Sequence, residues 1–261
     1  MPTTIPAPVE SWFVDFARSH GWRETGGPRM HEIKMEHSRR VQADCLAMAA
    51  ELGWSGDHLH AAELLGLFHD VARFPQFARY GTLMDRQSVD HGEYGFEILQ
   101  TAPITSTFPA AFRSAILTGV RFHNRKTMPD SLDAVTFDLL RLIRDADKLD
   151  ILKVIRDVAE ADDYDRHPEL LLGMDRHGPP TPVLIREILD HRGGSYANVH
   201  SLMDLHLLRL TWAYDLNYPI TQRRLIERDL YRDLLATRHP NPDVETIKRQ
   251  VREFLADQPI R

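Results

Sequence analysis

Apolar residues recur at steps of three and four along most of the chain and almost nowhere in strict alternation. That pattern predicts helices and no strands. Val9 to His20 reads as a short helix closed by Gly21, with Trp12, Phe13 and Phe16 on its apolar side. Residues 1–8, rich in Pro and Thr, read as a loose arm. A second helix runs from about His31 to Leu52 along the line Ile33, His37, Val41, Cys45, Met48 and Leu52. A third, capped by Ser55 or Asp57, carries Leu59, Ala62, Leu65 and His69. Pro75 to Ser88 reads as a long connection of the kind that often carries function. Val89 to Leu99 predicts a helix with His91, Gly95 and Leu99 in line, where Gly95 would let another helix approach closely. Pro109 falls in the first turn of the next, which aligns Phe112, Ile116, Val120 and His123. Asp133 to Ala159 follows, with Leu140, Ile143, Asp147, Ile151 and Val154 along one face.

The rest of the chain is less regular. Glu160 to Pro182 has a weak pattern and reads as a linker or a lid. Helices are expected over Val183–His191, Leu202–Leu216 and Ile220–Thr237, and from Asn241-Pro242-Asp243 to about Phe254. The expectation is an all-α protein. Its parts are an N-terminal arm and short helix (1–30), a helical core (31–160), and a linker with C-terminal helices in the same globular unit (161–261).

Polar residues break the apolar lines at a few places, and these are all metal-ligand types. Five predicted helices place His37, His69-Asp70, His91, His123 and Asp147 on their inward lines. Taken singly, each has an ordinary reading: a hydrogen-bonded core histidine, or Asp147 paired with Arg144 or Lys148. Taken together, four histidines and two carboxylates on inward faces would each need its own partner, because a buried carboxylate is costly unless paired or metal-bound. One shared metal centre would satisfy them all. Mixed imidazole and carboxylate donors suit Mn, Fe, Co, Ni or Zn better than Mg.

Composition narrows the function classes. A net charge of −6 argues against non-specific nucleic-acid binding, which needs a basic face. The single cysteine, Cys45, allows no intramolecular disulfide and fits a reducing cytoplasm; it reads as a core residue. No apolar run is long enough to span a membrane, and no secretory leader is evident.

The order His37, His69-Asp70, His91, His123, Asp147 resembles that of the HD superfamily of metal-dependent phosphohydrolases. The surrounding words match too: Glu36-His37-Ser38, Leu67-Phe68-His69-Asp70, Asp90-His91-Gly92-Glu93, Phe122-His123-Asn124 and Arg144-Asp145-Ala146-Asp147-Lys148-Leu149-Asp150. The resemblance covers about residues 31–160 and implies an HD-domain helical bundle with the additional C-terminal helices packed on it. It also implies that His37, His69, Asp70 and Asp147 hold one divalent transition metal. Asp70 would bridge to a second ion held by His91 and His123. Members without the two middle histidines usually bind one ion, so two per chain are expected here.

The implied chemistry is attack of a metal-activated hydroxide on phosphorus. The substrate would be a nucleotide or other small phosphoester. Positive charge near the ligands would contact phosphate or stabilise the leaving group: Arg73 and Lys148, with Asp70, are the candidate catalytic groups, and Arg73, Arg125, Lys126 and Lys148 the candidate substrate contacts. Thr82, Asp85 and Ser88, in the connection before His91, would shape the pocket. The Val-Ala-Arg-Phe that follows the doublet departs from the cyclic-di-GMP phosphodiesterases, the deoxynucleotidases and the guanosine tetraphosphate hydrolases of the superfamily. The bacterial diadenosine tetraphosphate hydrolases share the two middle histidines. Two alternatives stand beside the hydrolase: a diiron oxygenase of HD type, which uses the same six ligands, and a non-catalytic metal-stabilised sensor or interaction module.

Overall fold

The computed structural model describes residues 3–161, 173–236 and 238–257. Among them the secondary structure is α-helix with short 3-10 turns, plus one isolated bridge between Asp175 and Ser201. The all-α expectation holds. No helix among the described residues is long and apolar enough to cross a membrane. The chain forms two compact units, Met1–Asp147 and Lys148–Arg261.

The first unit contains α1 (Ala7–Ser19), α2 (Arg29–Glu51), α3 (Gly56–Phe68), α4 (Arg73–Tyr80), α5 (His91–Thr101) and α6 (Arg113–Phe122). The following helix, α7 (Ala134–Glu160), opens in this unit. Its N-terminus is capped by Asp133, whose carboxylate accepts from the Thr136 amide at 2.9 Å. On α2, His37, Val41, Cys45 and Met48 are buried, as the three–four spacing requires. In α3 every residue from Ala61 to Phe68 is buried, so this is a central helix covered on all sides.

Helices α2 and α3 meet at Gly66. A Cβ there would lie 2.8 Å from the Gln42 Cα and 3.0 Å from the Val41 carbonyl oxygen, so only glycine permits this approach. Gly95 gives α5 a close but less strict approach to α6, where a Cβ would lie 3.0 Å from the Val120 side chain. Phe13, Phe68, Phe74 and Phe108 complete the core, with Phe13 edge-on to Phe68 and to Phe74.

Two segments depart from the expected pattern. Helix α4, residues 73–80, takes in the first part, 75–80, of the stretch expected as a connection. Pro75 sits in the first turn of that helix, where no intrahelical N–H is required, and so does not break it. Residues 3–6 are not loose: the buried Glu63 carboxylate accepts from the Thr4 amide at 2.7 Å and from Gln42 Nε2 at 3.0 Å.

The second unit contains α8 (Pro182–His191), α9 (Leu202–Leu210), α10 (Pro219–Glu227), α11 (Arg232–Ala236) and α12 (Pro242–Ala256). Asn241 caps α12 by accepting from the Asp243 amide at 2.8 Å, at the predicted start signal. Ser201 and Asp204 form a capping box at α9. The expected helix over Ile220–Thr237 is broken into α10 and α11, and Asp229 takes a left-handed φ of 50° between them. The expected linker or lid at 160–182 falls largely outside the described residues.

Candidate metal centre

Each candidate ligand stands at a helix position that commits its direction. His37 projects from the inward line of α2. His69 and Asp70 follow directly on α3, where the helix ends. His91 is the first residue of α5, whose N-cap Asp90 accepts from the Glu93 amide at 3.1 Å. His123 follows α6, and Asp147 lies on α7. His37, His69, Asp70, His91 and His123 are all buried; the Asp147 side chain is 19% exposed.

All six converge, in two groups that share Asp70. In the first, His37 Nε2 lies 3.1 Å from His69 Nε2, 3.2 Å from Asp147 Oδ1 and 3.4 Å from Asp70 Oδ2. In the second, His91 Nε2 lies 3.1 Å from His123 Nε2, and the two lie 3.5 and 3.6 Å from Asp70 Oδ1. One carboxylate therefore turns a different oxygen to each group. Donors about 2.1 Å from a shared ion lie roughly 3.0–3.4 Å from one another, which is the spacing seen for the nearest pairs.

The hydrogen bonds on the far sides of the rings show what these nitrogens need. His69 Nδ1 donates to the Gly66 carbonyl and His123 Nδ1 to the Val120 carbonyl, both at 2.8 Å. His91 Nδ1 donates to Asp85 Oδ2 at 2.6 Å. In neutral rings each Nε2 is then a bare acceptor. Two acceptors cannot hydrogen-bond each other, yet His91 Nε2 and His123 Nε2 face each other at 3.1 Å.

A proton on His91 does not resolve the conflict. Burial pushes His69 down to about 3 and His91 down to about 4, the latter helped by the Arg73 guanidinium. A cation between the lone pairs does resolve it, so the donor set fits a divalent metal. Burial would raise the Asp70 carboxyl, but Lys34, His69 and Arg73 together hold it well below the usual carboxylate range. Burial works against Asp147 in the same way, and His37 and His69 together outweigh it, His37 by hydrogen bond and charge and His69 by charge.

The expected basic residues are placed differently. Arg73 Nη1 donates to Gln76 Oε1, the Leu83 carbonyl and Asp85 Oδ1 at 2.7–2.9 Å, and its Nε is 3.4 Å from Asp70 Oδ1. These three hydrogen bonds are all made by Nη1. The Lys148 ammonium donates to the Asp215 carbonyl and carboxylate at 2.7 and 2.5 Å. Arg125 pairs with Asp90 at 3.0 Å. Lys126 is exposed, and its carbonyl accepts from Arg144. Of the loop residues expected to shape the pocket, Asp85 touches His91 directly. Ser88 accepts from Gln76 Nε2 at 2.8 Å, and Thr82 Oγ1 accepts from the Met84 amide at 3.1 Å.

Three contributors went unread in the sequence. Lys34 donates to Asp70 Oδ2 at 2.7 Å; it stands three residues before His37, and that spacing was the available signal. Asn124 Nδ2 donates to Asp90 Oδ1 at 3.0 Å, beside His123. Gln76, fully buried, donates to Asp85 Oδ1 at 3.0 Å.

The family model of the HD domain matches residues 35–167, just over half of the chain, and takes in all six ligands. No curated protein and no solved structure gives a significant match. The ordered ligands, the helical core and the family match agree: the chain belongs to the HD domain family, a superfamily of metal-dependent phosphohydrolases.

Proposed function

We propose that the protein is a metal-dependent phosphohydrolase that cleaves a nucleotide or another small phosphoester at a two-ion centre, and that it acts in the cytoplasm. The observation that carries this reading is Asp70, whose two oxygens face two separate pairs of imidazole nitrogens. His37, His69 and Asp147 would hold one ion and His91 with His123 the other, Asp70 bridging them. Bound there, Mn, Fe, Co, Ni or Zn would supply Lewis acidity to the phosphoryl oxygens and lower the pKa of a nucleophilic water.

The chain's own part is to keep this site charged, oriented and largely dry. Neutral imidazoles, their tautomers set by Gly66, Val120 and Asp85, leave the Nε2 lone pairs free to bind. The Lys34 and Arg73 cations keep Asp70 ionised despite its burial. Asp147 is the most open of the ligands, its side chain 19% exposed. We assign Arg73 a positioning role, because its Nη1 holds Gln76, the Leu83 carbonyl and Asp85.

The test is metal analysis followed by turnover. Protein purified without chelator or nickel resin should carry close to two transition-metal ions per chain. With Mn or Co it should release phosphate or a nucleotide product from a panel of nucleotides and aryl phosphoesters, and Asp70→Ala should abolish both binding of the pair and turnover. Metal-replete protein with no phosphoester turnover would overturn the reading. A mixed-valence iron signal with oxygen-dependent oxidation would replace it with the oxygenase.

A further inference from the structure

Two of the four imidazoles are held by their own helices. His69 and His123 each donate Nδ1 to the carbonyl three residues earlier, in the last turn of α3 and of α6. His91 has no such carbonyl, because it is the first residue of α5 and a loop precedes it. Its Nδ1 donates instead to Asp85 Oδ2 at 2.6 Å, and its amide lies 3.4 Å from the same oxygen. Asp85 is in turn fixed from α4. Its Oδ1 accepts from Arg73 Nη1 at 2.9 Å and from Gln76 Nε2 at 3.0 Å. The same two side chains hold the loop on either side of Asp85, Arg73 through the Leu83 carbonyl and Gln76 through Ser88 Oγ and the Val89 carbonyl.

Arg73 also reaches the shared carboxylate, its Nε 3.4 Å from Asp70 Oδ1, and Asp70 Oδ1 is 3.5 Å from His91 Nε2. A closed ring results: Asp70, Arg73, Asp85, His91 and back to Asp70. Both ligand atoms in that ring, Asp70 Oδ1 and His91 Nε2, belong to the second group. His37 and Asp147 stand outside it.

We propose that Asp85, clamped by Arg73 and Gln76, is a positioning residue that selectively sets the affinity of the second ion, the one assigned to His91 and His123. This rests on the two-ion reading. A carboxylate behind a ligating imidazole fixes the ring and raises its basicity, and losing one lowers metal affinity about 10- to 100-fold.

The experiment titrates full-length, metal-stripped protein with Co²⁺, following bound metal by plasma mass spectrometry and the visible cobalt spectrum. Wild type should fill two sites. Asp85→Asn should bind the first equivalent as wild type does, with the same spectrum, and bind the second about 10- to 100-fold more weakly with an altered spectrum. Gln76→Leu, which loosens Asp85 without touching His91 or Asp70, should give a smaller loss in the same second step and serves if Asp85→Asn does not fold. Two equal, wild-type affinities in both variants would overturn the role of Asp85 and leave the two-ion reading intact. Parallel loss of both ions would show a general structural role and overturn it as well. A wild-type protein that takes up a single ion would overturn the two-ion reading, and this inference with it.

Discussion

At the scale of single residues, the charge on Asp70 is decided by a contest. Burial would favour the protonated acid; the Lys34 ammonium is the strongest opposing group, ahead of His69 and Arg73, and together they win. Lys34 makes this contact at 2.7 Å from a position one helical turn before His37. Lys34→Met keeps the aliphatic stem and deletes the charge. Asp70 then loses its closest cation, while the helix keeps a good helix former at an only half-buried position. The expected outcome is a drop of about 10-fold or more in kcat/KM for a phosphoester at neutral pH, with a melting temperature within a few degrees of wild type. Steady-state kinetics beside a thermal melt would check it; an unchanged kcat/KM would show that the histidines and Arg73 suffice for Asp70.

At the scale of elements, the site depends on how closely α2 and α3 approach. Both deliver ligands, His37 from within α2 and His69-Asp70 from the end of α3. Gly66 lies between them with backbone atoms of α2 less than 3.1 Å from where a Cβ would stand. Those atoms cannot rotate aside as a side-chain tip can. Gly66→Ala should therefore cost about 1–3 kcal/mol in urea unfolding, despite alanine's better helix propensity, and should weaken metal binding in parallel. Wild-type stability in that variant would mean that the helices separate freely. The elements that carry ligands were legible because their apolar lines run unbroken for several turns, and the histidines showed as exceptions on those lines. What escaped notice lacks such a line. Helix α4 hid behind Pro75, which reads as a breaker but occupies a first turn. The Arg73–Asp85 clamp joins two residues with no periodic relation. Lys34 has no reading from its own neighbourhood, because its role depends on where Asp70, thirty-six residues later, comes to lie. The break at Asp229 is likewise set by a left-handed residue that helix periodicity does not register.

At the scale of the whole molecule, buried neutral histidines make stability depend on pH with a definite sign. His69, His91 and His206 are pushed down to about 3, 4 and 3, in each case by burial first. Unfolded, each titrates near 6.5. As pH falls below that value the unfolded chain takes up protons that the native protein refuses. Native stability therefore falls with falling pH, by up to about 1.4 kcal/mol per pH unit for each such histidine, until the native pKa is reached. The carboxyls of Asp70, Asp85 and Asp147, held below their usual range, extend the loss once pH drops through about 4. Metal occupancy also responds to pH at His69 and His91, so the clean probe is His206. It lies on α9 in the second unit, outside the metal centre, and the cations Arg209 and Lys248 add to the burial that disfavours its protonation. Urea unfolding of metal-stripped protein between pH 7 and pH 5 should show stability declining towards acid in wild type. In His206→Gln the slope should be shallower by close to one proton, about 1.4 kcal/mol per pH unit at the acid end. That difference in slope is independent of any overall cost of replacing a half-buried ring. Identical slopes in the two proteins would mean that His206 is protonated as readily in the fold as outside it, and that burial beside two cations does not govern its charge.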